Sequence, residues 1–199
     1  MTPAVVLAGG LARRMGGGDK ALHDVGGATI LSRVIDRLAP QAGQLALNAN
    51  GDPARFAAFD LPVLADSIAD YPGPLAGVLA GMDWAAALGA DHIISVAADT
   101  PFFPTDLVAR LTGEISDTTP IVLAATRDGE RVIRHPTFGL WPVAFRDDLR
   151  AALEGGLRKV VLWTDRHGAA TAVFGTEPID PFFNINTPED LARAGALAS

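Results

Sequence analysis

Short apolar runs, each ended by glycine or by polar residues, recur along the first half of the chain and alternate with segments of helical periodicity. The runs predict buried strands at residues 4–7, 45–47, 62–64 and 92–97. The helical periodicity predicts helices at residues 29–38, 75–88 and 105–111. Strands and helices that alternate in this way are typical of an α/β fold with a mainly parallel sheet that is covered on both faces.

The second half of the chain is less regular. A turn is predicted at residues 127–130, strands at 121–125, 172–174 and 182–183, and helices near 143–153 and 157–164. A last helix is predicted to begin at Thr187, because a threonine N-cap followed by Pro188 and two acidic residues favours a helix start. No repeat, low-complexity tract or linker interrupts the sequence, so we expect a single domain over residues 1–199.

The composition narrows the classes of function. The chain has 199 residues, with 16 basic and 23 acidic side chains and a formal net charge of −7, which argues against binding to nucleic acid or to an anionic membrane. It contains no cysteine, so disulfides and thiolate chemistry are excluded. The sequence has no recognisable membrane span or secretion signal, and we therefore expect a cytoplasmic protein.

Four of the predicted strands end at a residue that suits ligand binding. These residues are Gly9, Asn48, Asp66 and Asp99. The carboxyl ends of parallel strands meet at one edge of a sheet, and open α/β sheets bind their ligands there. We therefore expect the four loops to converge on one binding crevice.

The loop after the first predicted strand is rich in glycine and carries basic side chains. It contains Arg14 and ends at Lys20, one of only two lysines in the chain. Glycine lets backbone N–H groups approach phosphate oxygens, and guanidinium and ammonium groups offset the charge that develops as pyrophosphate leaves. The loop therefore suits a triphosphate. It is not a Walker A motif, because Ala21 stands where that motif has Ser or Thr.

The same loop carries a resemblance to a known family. Leu-Ala-Gly-Gly at residues 7–10, followed by Arg14-Met15-Gly16 and Asp19-Lys20, is similar to the signature loop of small nucleotidyltransferases. Four later segments extend the resemblance over the whole chain, to the bacterial molybdenum cofactor guanylyltransferase family. These segments are residues 48–50, 66–67 together with 70–77, 99–101 and 184–191.

The resemblance implies a fold and an activity. The fold would be a three-layer α/β/α sandwich of the Rossmann-like nucleotidyltransferase type. The activity would be a Mg²⁺-dependent transfer of GMP from GTP to the terminal phosphate of molybdopterin or molybdenum-molybdopterin, with release of pyrophosphate. The nucleotide-binding part would span about residues 1–100 and the acceptor-binding part about 101–199. A monomer is expected, in transient contact with other cofactor-biosynthesis proteins and recipient molybdoenzymes.

The resemblance also implies roles for individual residues. The GTP site would consist of Leu7, Ala8, Gly9, Gly10, Lys20, Asn48, Asp66 and Asp99. Lys20, Arg14 and Asp99 would be catalytic, with Lys20 on the phosphates and Asp99 as the Mg²⁺ ligand. The segment with Asn184 and Asn186 would lie on the acceptor side. Apart from the resemblance, Arg158 and Lys159 are candidates for contacts with the phosphate of the acceptor, and His135 is a candidate for the rim of its site. The chain departs from the family at residues 132–134, which lengthen the connection before His135.

Structural interpretations of the same residues stay open. The glycine-rich loop also fits an ordinary turn between a strand and a helix, and Asp99 fits a helix cap. Asn48 and Asp66 fit turn positions, and Asn50 with Gly51 fits a plain turn. The two acceptor-side asparagines also fit a role in satisfying buried backbone groups, and the Arg-Lys pair fits a solvated helix face.

Other functions stay open as well. A sibling enzyme that uses CTP or a sugar phosphate shares the loop chemistry, although Leu-Ala-Gly-Gly favours GTP because cytidylyl siblings tend to carry Leu-Ala-Ala-Gly. A nucleotide-sensing module has no leaving group to stabilise and so does not need Lys20 together with Asp99. A nicotinamide-dependent dehydrogenase needs its glycine motif at the strand end, whereas the G-x-G-x-x-A match here begins at Gly16.

Overall fold

The computed structural model describes residues 1–9, 19–68, 73–157 and 159–198. Its strands are β1 (Ala4–Leu7), β2 (Asp24–Val25), β3 (Ala28–Thr29), β4 (Leu45–Asn48), β5 (Val63–Leu64), β6 (His92–Ala97), β7 (Ile121–Asp128), β8 (Arg131–Pro142) and β9 (Ala169–Phe174). Its α-helices are α1 (Ile30–Leu38), α2 (Pro74–Ala87), α3 (Leu107–Gly113), α4 (Arg146–Glu154), α5 (Val160–His167) and α6 (Pro188–Ala198). Short 3₁₀ helices cover Lys20–Leu22, Pro53–Phe59 and Val143–Phe145.

One large sheet forms the centre of the molecule. Within the described residues it has seven strands, in the order β5-β4-β1-β6-β8-β7-β9. Its strands run parallel except for β8, which pairs antiparallel with both β6 and β7. The small strands β2 and β3 form a separate antiparallel hairpin. The mainly parallel sheet expected from the sequence is confirmed.

Helices cover both faces of this sheet. Successive side chains of a strand point to opposite faces, so β1 contributes to two apolar clusters. Ala4 and Val6 pack with residues of α1 and α3, whereas Val5 packs with residues of α2, α4 and α5. The helix α6 lies beside the β2–β3 hairpin, where Ala194 packs with Val25. The three layers confirm the predicted α/β/α fold class.

Glycines in the helix α2 allow close contact with the sheet. Its residues from Leu75 to Met82 are all buried. At Gly81, an added Cβ would lie 2.7 Å from Val5 Cγ1, so only glycine allows this separation of helix and strand. Among the residues that the structure describes, neither α2 nor any other helix has both the length and the apolar character needed to span a membrane.

The strand predicted at residues 182–183 is wrong. Asp180 forms a turn there: its side chain accepts a hydrogen bond from the Phe182 N–H at 2.9 Å, and its carbonyl accepts one from the Phe183 N–H at 3.1 Å. The Phe182 ring packs edge-on against Phe138, with 4.9 Å between ring centroids. The apolar pair therefore reflects the burial of a ring and not strand pairing.

The hairpin of β7 and β8 also differs from expectation. The turn predicted at residues 127–130 is shorter, because β7 continues to Asp128. Further along, Leu123 pairs with Gly139 while the next residue, Ala124, pairs with His135, so residues 136–138 are extra on β8. A bulge of this kind redirects side chains. Pro136 lies among these extra residues. Proline has no N–H to donate to the hydrogen bonds between strands, so it is tolerated at a bulge.

Candidate active site

A cavity opens where β1, β4 and β6 end. Its volume is about 410 Å³. Its lining residues are Leu7, Ala8, Gly9, Lys20, Ala21, Asn48, Asn50, Asp66, Gly73, Pro74, Ala97, Ala98, Asp99, Thr137 and Asn184. The four strand-end residues that were expected to converge all belong to this set.

Backbone hydrogen bonds fix the positions of the strand ends relative to one another at the cavity. The Ala8 N–H donates to the Asn48 carbonyl at 2.8 Å, and the Ala98 N–H donates to the Leu7 carbonyl at 3.1 Å. Each bond continues a parallel ladder by one residue past the strand end. The side chains of the following loops are therefore held at a fixed depth relative to the sheet.

Lys20 occupies one end of the cavity and is almost fully buried. Its ammonium donates to Asp99 Oδ2 at 2.7 Å, Asn184 Oδ1 at 3.1 Å and Asn186 Oδ1 at 2.5 Å. An ammonium has three N–H groups, so these three acceptors account for all of them. The arrangement fixes the position of the positive charge and compensates for its loss of water.

Hydrogen bonds hold the segment with Asn184 and Asn186 against the edge of the sheet. The Ile185 N–H donates to the Asp99 carbonyl at 2.9 Å. At the start of α6, Asp190 Oδ2 accepts from the backbone N–H groups of Asn186 and Thr187, at 2.9 and 3.0 Å. The hydrogen bond from the Asn186 N–H is the main reason why the pKa of Asp190 lies below its usual value. The N-cap predicted at Thr187 is present, since its hydroxyl accepts from the Asp190 N–H.

Asn48, Asn50 and Asp66 form a second polar group at the other end of the cavity. Asn48 Nδ2 donates to Asp66 Oδ1 at 2.9 Å, and Asn50 Nδ2 donates to Asp66 Oδ2 at 2.8 Å. The Asp66 N–H donates back to Asn50 Oδ1 at 2.9 Å. An added Cβ at Gly77 would overlap Asn48 Oδ1, so α2 holds the Asn48 side chain from behind.

Asp99 presents a carboxylate to the cavity beside Lys20. Mg²⁺ is commonly bound by one or two carboxylates together with substrate phosphates and water, and not by a cage of protein ligands. Asp99 lines the cavity and its side chain is 26% exposed. Within the described residues there is no group of three or more His, Cys, Asp or Glu that could hold a metal. The chemistry of the Asp99 carboxylate is thus compatible with Mg²⁺.

Comparison with known proteins gives the family. Residues 4–169 match the family model described as MobA-like NTP transferase domain. The chain belongs to this family. It is 54% identical to molybdenum cofactor guanylyltransferases from Rhodopseudomonas palustris (strain BisB5) and Bradyrhizobium sp. (strain ORS 278), covering 99% of this chain in both and 94% and 93% of the relatives. The family expected from the sequence, and with it the enzyme class of nucleotidyltransferases, is confirmed.

Solved structures share the fold of this NTP transferase at low sequence identity. A molybdopterin-guanine dinucleotide biosynthesis protein A from Archaeoglobus fulgidus matches with a TM-score of 0.74 at 22% identity, covering 99% of this chain and 98% of that one. A 4-diphosphocytidyl-2C-methyl-D-erythritolsynthase from Anaerococcus prevotii DSM 20548 matches with a TM-score of 0.72 at 14% identity, covering 100% and 96%. One of these proteins has a guanine nucleotide in its name and the other a cytidine nucleotide, yet both share this fold. The fold alone therefore does not determine which nucleotide base is bound.

Of the described residues expected in the site of this NTP transferase, Lys159 and Asn186 do not line the cavity. Gly10, Arg14 and Arg158 fall outside the described residues. Lys159 is exposed just before α5 and does not line the cavity. Asn186 is not a lining residue either, but it reaches the cavity through its hydrogen bond to Lys20.

His135 is not among the residues that line the cavity. Its ring stacks on Phe182 with 4.2 Å between centroids, and its Nε2 lies 2.9 Å from Thr126 Oγ1. Burial lowers the pKa of His135, and the negative charge of Asp180 opposes that effect only in part. The neutral imidazole is therefore favoured in the folded chain.

Two lining residues with polar side chains, Asn50 and Thr137, were missed by the sequence analysis. Asn50, interpreted as part of a plain turn, lines the cavity and holds Asp66. Thr137 lies in the bulge of β8, where its carbonyl accepts from Ser95 Oγ at 2.9 Å. The proline at position 136 was the one sequence signal, because proline inside a strand pattern marks a bulge.

Proposed function

We propose that the chain transfers GMP from GTP to the terminal phosphate of molybdopterin or molybdenum-molybdopterin and releases pyrophosphate. The observation that carries the proposal is one cavity with a fixed ammonium and a carboxylate, Lys20 and Asp99, at one end and the Asn48–Asp66 pair at the other. The names of the 54% identical relatives support the choice of nucleotide and acceptor.

In this reaction an acceptor phosphate oxygen attacks the α-phosphorus of GTP. A new P–O bond forms as the bond between the α-phosphorus and the bridging oxygen breaks, and pyrophosphate carries away the electron pair. Such a transfer depends mainly on positioning and on compensation of negative charge. Lys20 supplies a positive charge in a buried place, where it acts more strongly than in water.

Asp99 would hold Mg²⁺ at the phosphate end. The bound ion would neutralise charge on the triphosphate, which is the chemistry that magnesium supplies in phosphoryl transfer. The carboxylate also accepts a hydrogen bond from the Thr100 hydroxyl at 3.1 Å, which restrains its orientation. Leu7, Ala8 and Gly9 would line the path of the nucleotide from this end, together with the glycine-rich loop that carries Gly10 and Arg14.

Asp66 would read the guanine base. Its carboxylate oxygens each accept one amide N–H, from Asn48 and Asn50, and a carboxylate oxygen has a further lone pair for another donor. Guanine offers N1–H and N2–H₂ on one edge, whereas cytosine and adenine do not offer that pair. Asn48 would act by fixing the Asp66 carboxylate and by contacting the nucleotide.

The acceptor would lie towards Thr137 and Asn184, at the side of the cavity away from Asp66. Arg158 and Lys159 stay predictions for contacts with its phosphate. The division into a nucleotide-binding part at about residues 1–100 and an acceptor-binding part at about 101–199 belongs to the same proposal. So do the cytoplasmic location, the monomeric state and the contacts with recipient enzymes.

The decisive experiment is a transfer assay with Mg²⁺ and molybdenum-loaded molybdopterin, in which GTP, CTP and ATP are offered separately. Product and pyrophosphate from GTP alone are expected. Lys20→Ala should lower turnover by roughly 10²–10³-fold while circular dichroism shows a folded chain. Product from CTP would contradict the assignment of the base. Nucleotide binding without product would contradict the acceptor or indicate a sensing module.

A further inference from the structure

Arg55 is not one of the residues proposed to contact the nucleotide or the acceptor. It contacts residues next to both ends of the GTP site, which is called the donor site below. It belongs to the 3₁₀ helix Pro53–Phe59, between β4 and β5. Its Nη2 donates to the Asn50 carbonyl at 2.5 Å, and its Nε lies 3.0 Å from Asp19 Oδ2. Among the residues that the structure describes, none accepts a hydrogen bond from the Nε–H, so the contact with Asp19 is an attraction between charges.

The two contacts lead to opposite ends of the cavity. Asp19 directly precedes Lys20, whose ammonium faces Asp99 at the phosphate end. Asn50 holds the Asp66 carboxylate at the base end. Arg55 is therefore the shared neighbour of two groups that approach the site from distant parts of the chain.

The surroundings of Arg55 make the connection firm. The Asp19 side chain is only 13% exposed, so solvent screens this pair less than an ordinary surface ion pair. The guanidinium also lies over the Phe56 ring, 4.9 Å from its centroid, and Phe56 is buried in the core. The planar guanidinium is thus held by a charge, a carbonyl and a ring at the same time.

We propose that Arg55 is a positioning residue that fixes the phosphate end of the donor site relative to the base end. The inference rests on the proposed function, because it assumes a nucleoside triphosphate that spans the cavity. A ligand that engages both ends gains affinity when their separation is fixed in advance, since less freedom is lost on binding. A ligand that uses only the phosphate end gains less from the same connection.

The chain offers a matched control in Arg110. Its Nη2 donates to the Val173 carbonyl at 2.5 Å, and its guanidinium lies 4.3 Å from the centroid of the Phe174 ring. It therefore makes the same kinds of carbonyl and ring contact as Arg55 but does not line the cavity. Substitution of Arg110 therefore shows how much ligand affinity is lost when an arginine with such contacts, but away from the cavity, is removed.

The test measures the binding of GTP and of inorganic pyrophosphate by titration calorimetry, without acceptor, for the wild-type chain, Arg55→Ala, Arg55→Lys and Arg110→Ala. For Arg55→Ala we expect GTP to bind roughly tenfold more weakly and pyrophosphate to lose clearly less. Arg55→Lys should recover only part of the loss, because an ammonium cannot reproduce the planar contacts. Arg110→Ala should bind both ligands as the wild type does. If Arg55→Ala does not fold, the affinities of Arg55→Lys for GTP and pyrophosphate are compared with those of the wild type instead.

The outcomes separate the positioning role from the proposed function. Unchanged GTP affinity in the Arg55 variants, an equal loss for pyrophosphate, or an equal loss in Arg110→Ala would overturn the inference. A wild-type chain that binds GTP but forms no dinucleotide would overturn the proposed transfer alone, and the comparison of variants would still stand. A wild-type chain that binds no GTP would overturn both.

Discussion

The Lys20 ammonium lies 2.7 Å from the Asp99 carboxylate, so the proposed phosphate-binding cation and the proposed magnesium ligand form an ion pair. Their side chains are only 10% and 26% exposed, and a partly buried pair needs further hydrogen bonds to offset the lost hydration. Asn184 and Asn186 supply these bonds to the ammonium. The charge, its counter-charge and the two amides therefore act as one unit, and a change in one member alters the others.

Substitution of Asp99 should change the requirement for magnesium. Asp99→Asn removes the negative charge that would hold the ion, so we expect the Mg²⁺ concentration at half-maximal transfer to rise at least about tenfold. The measurement is a Mg²⁺ titration of GMP transfer at saturating GTP. Asp66→Asn serves as the comparison, because it should raise the KM for GTP and leave the magnesium midpoint near that of the wild type. An unchanged midpoint in Asp99→Asn would speak against the assignment of the ligand.

The role of Asn186 can be separated kinetically from contact with the acceptor. If it holds Lys20, as its 2.5 Å hydrogen bond suggests, Asn186→Ala should lower kcat by about tenfold and change the KM for the acceptor little. Asn186→Asp keeps an oxygen that can accept from the ammonium and should restore part of kcat. A large rise in acceptor KM at normal kcat would instead favour the direct contact implied by the family resemblance.

Gly77 should tolerate no side chain, because it supports the base end of the cavity. An added Cβ would overlap Asn48 Oδ1 and lie 2.9 Å from Leu7 Cδ2, and both residues line the cavity. We expect Gly77→Ala to cost about 1–3 kcal/mol of stability and to weaken GTP binding. Thermal unfolding and calorimetry would measure the two effects. Gly113→Ala is the matched control, because an added Cβ there meets nothing within 4 Å, and wild-type behaviour of Gly77→Ala would refute the expectation.

The features that depend on local sequence pattern, such as the strands and their ends, could be predicted from the sequence. The strand ends at Gly9, Asn48, Asp66 and Asp99 could be placed on one sheet edge, because alternation of strands and helices constrains topology strongly. The partners of Lys20 could not be derived in the same way, since Asn184 lies 164 residues away in the chain. Contacts over such a separation depend on where the last loop folds back, and no local pattern encodes that.

Thr137 shows the same limit within a single strand. It lines the cavity because β8 has three extra residues opposite β7, and the register of an antiparallel pair appears only when both strands are placed. Phe182 shows the converse error, since an apolar pair was interpreted as a strand although a turn at Asp180 buries the ring. Local apolar character predicts burial more reliably than it predicts the element that achieves the burial.

Burial of His135 should make the stability of the fold depend on pH. The ordinary pKa of the ring is 6.5, and burial lowers it in the folded chain despite the attraction of Asp180. As the pH falls below about 6.5, the unfolded chain takes up the proton first, so the free energy of unfolding decreases. His135→Gln removes this titration and can keep a hydrogen bond to Thr126, so its stability should fall less between pH 7 and the lower folded-state pKa. Urea unfolding of both chains from about pH 8 to 5 measures the difference. Parallel pH profiles of the two chains would show that the ring is not held in its neutral form.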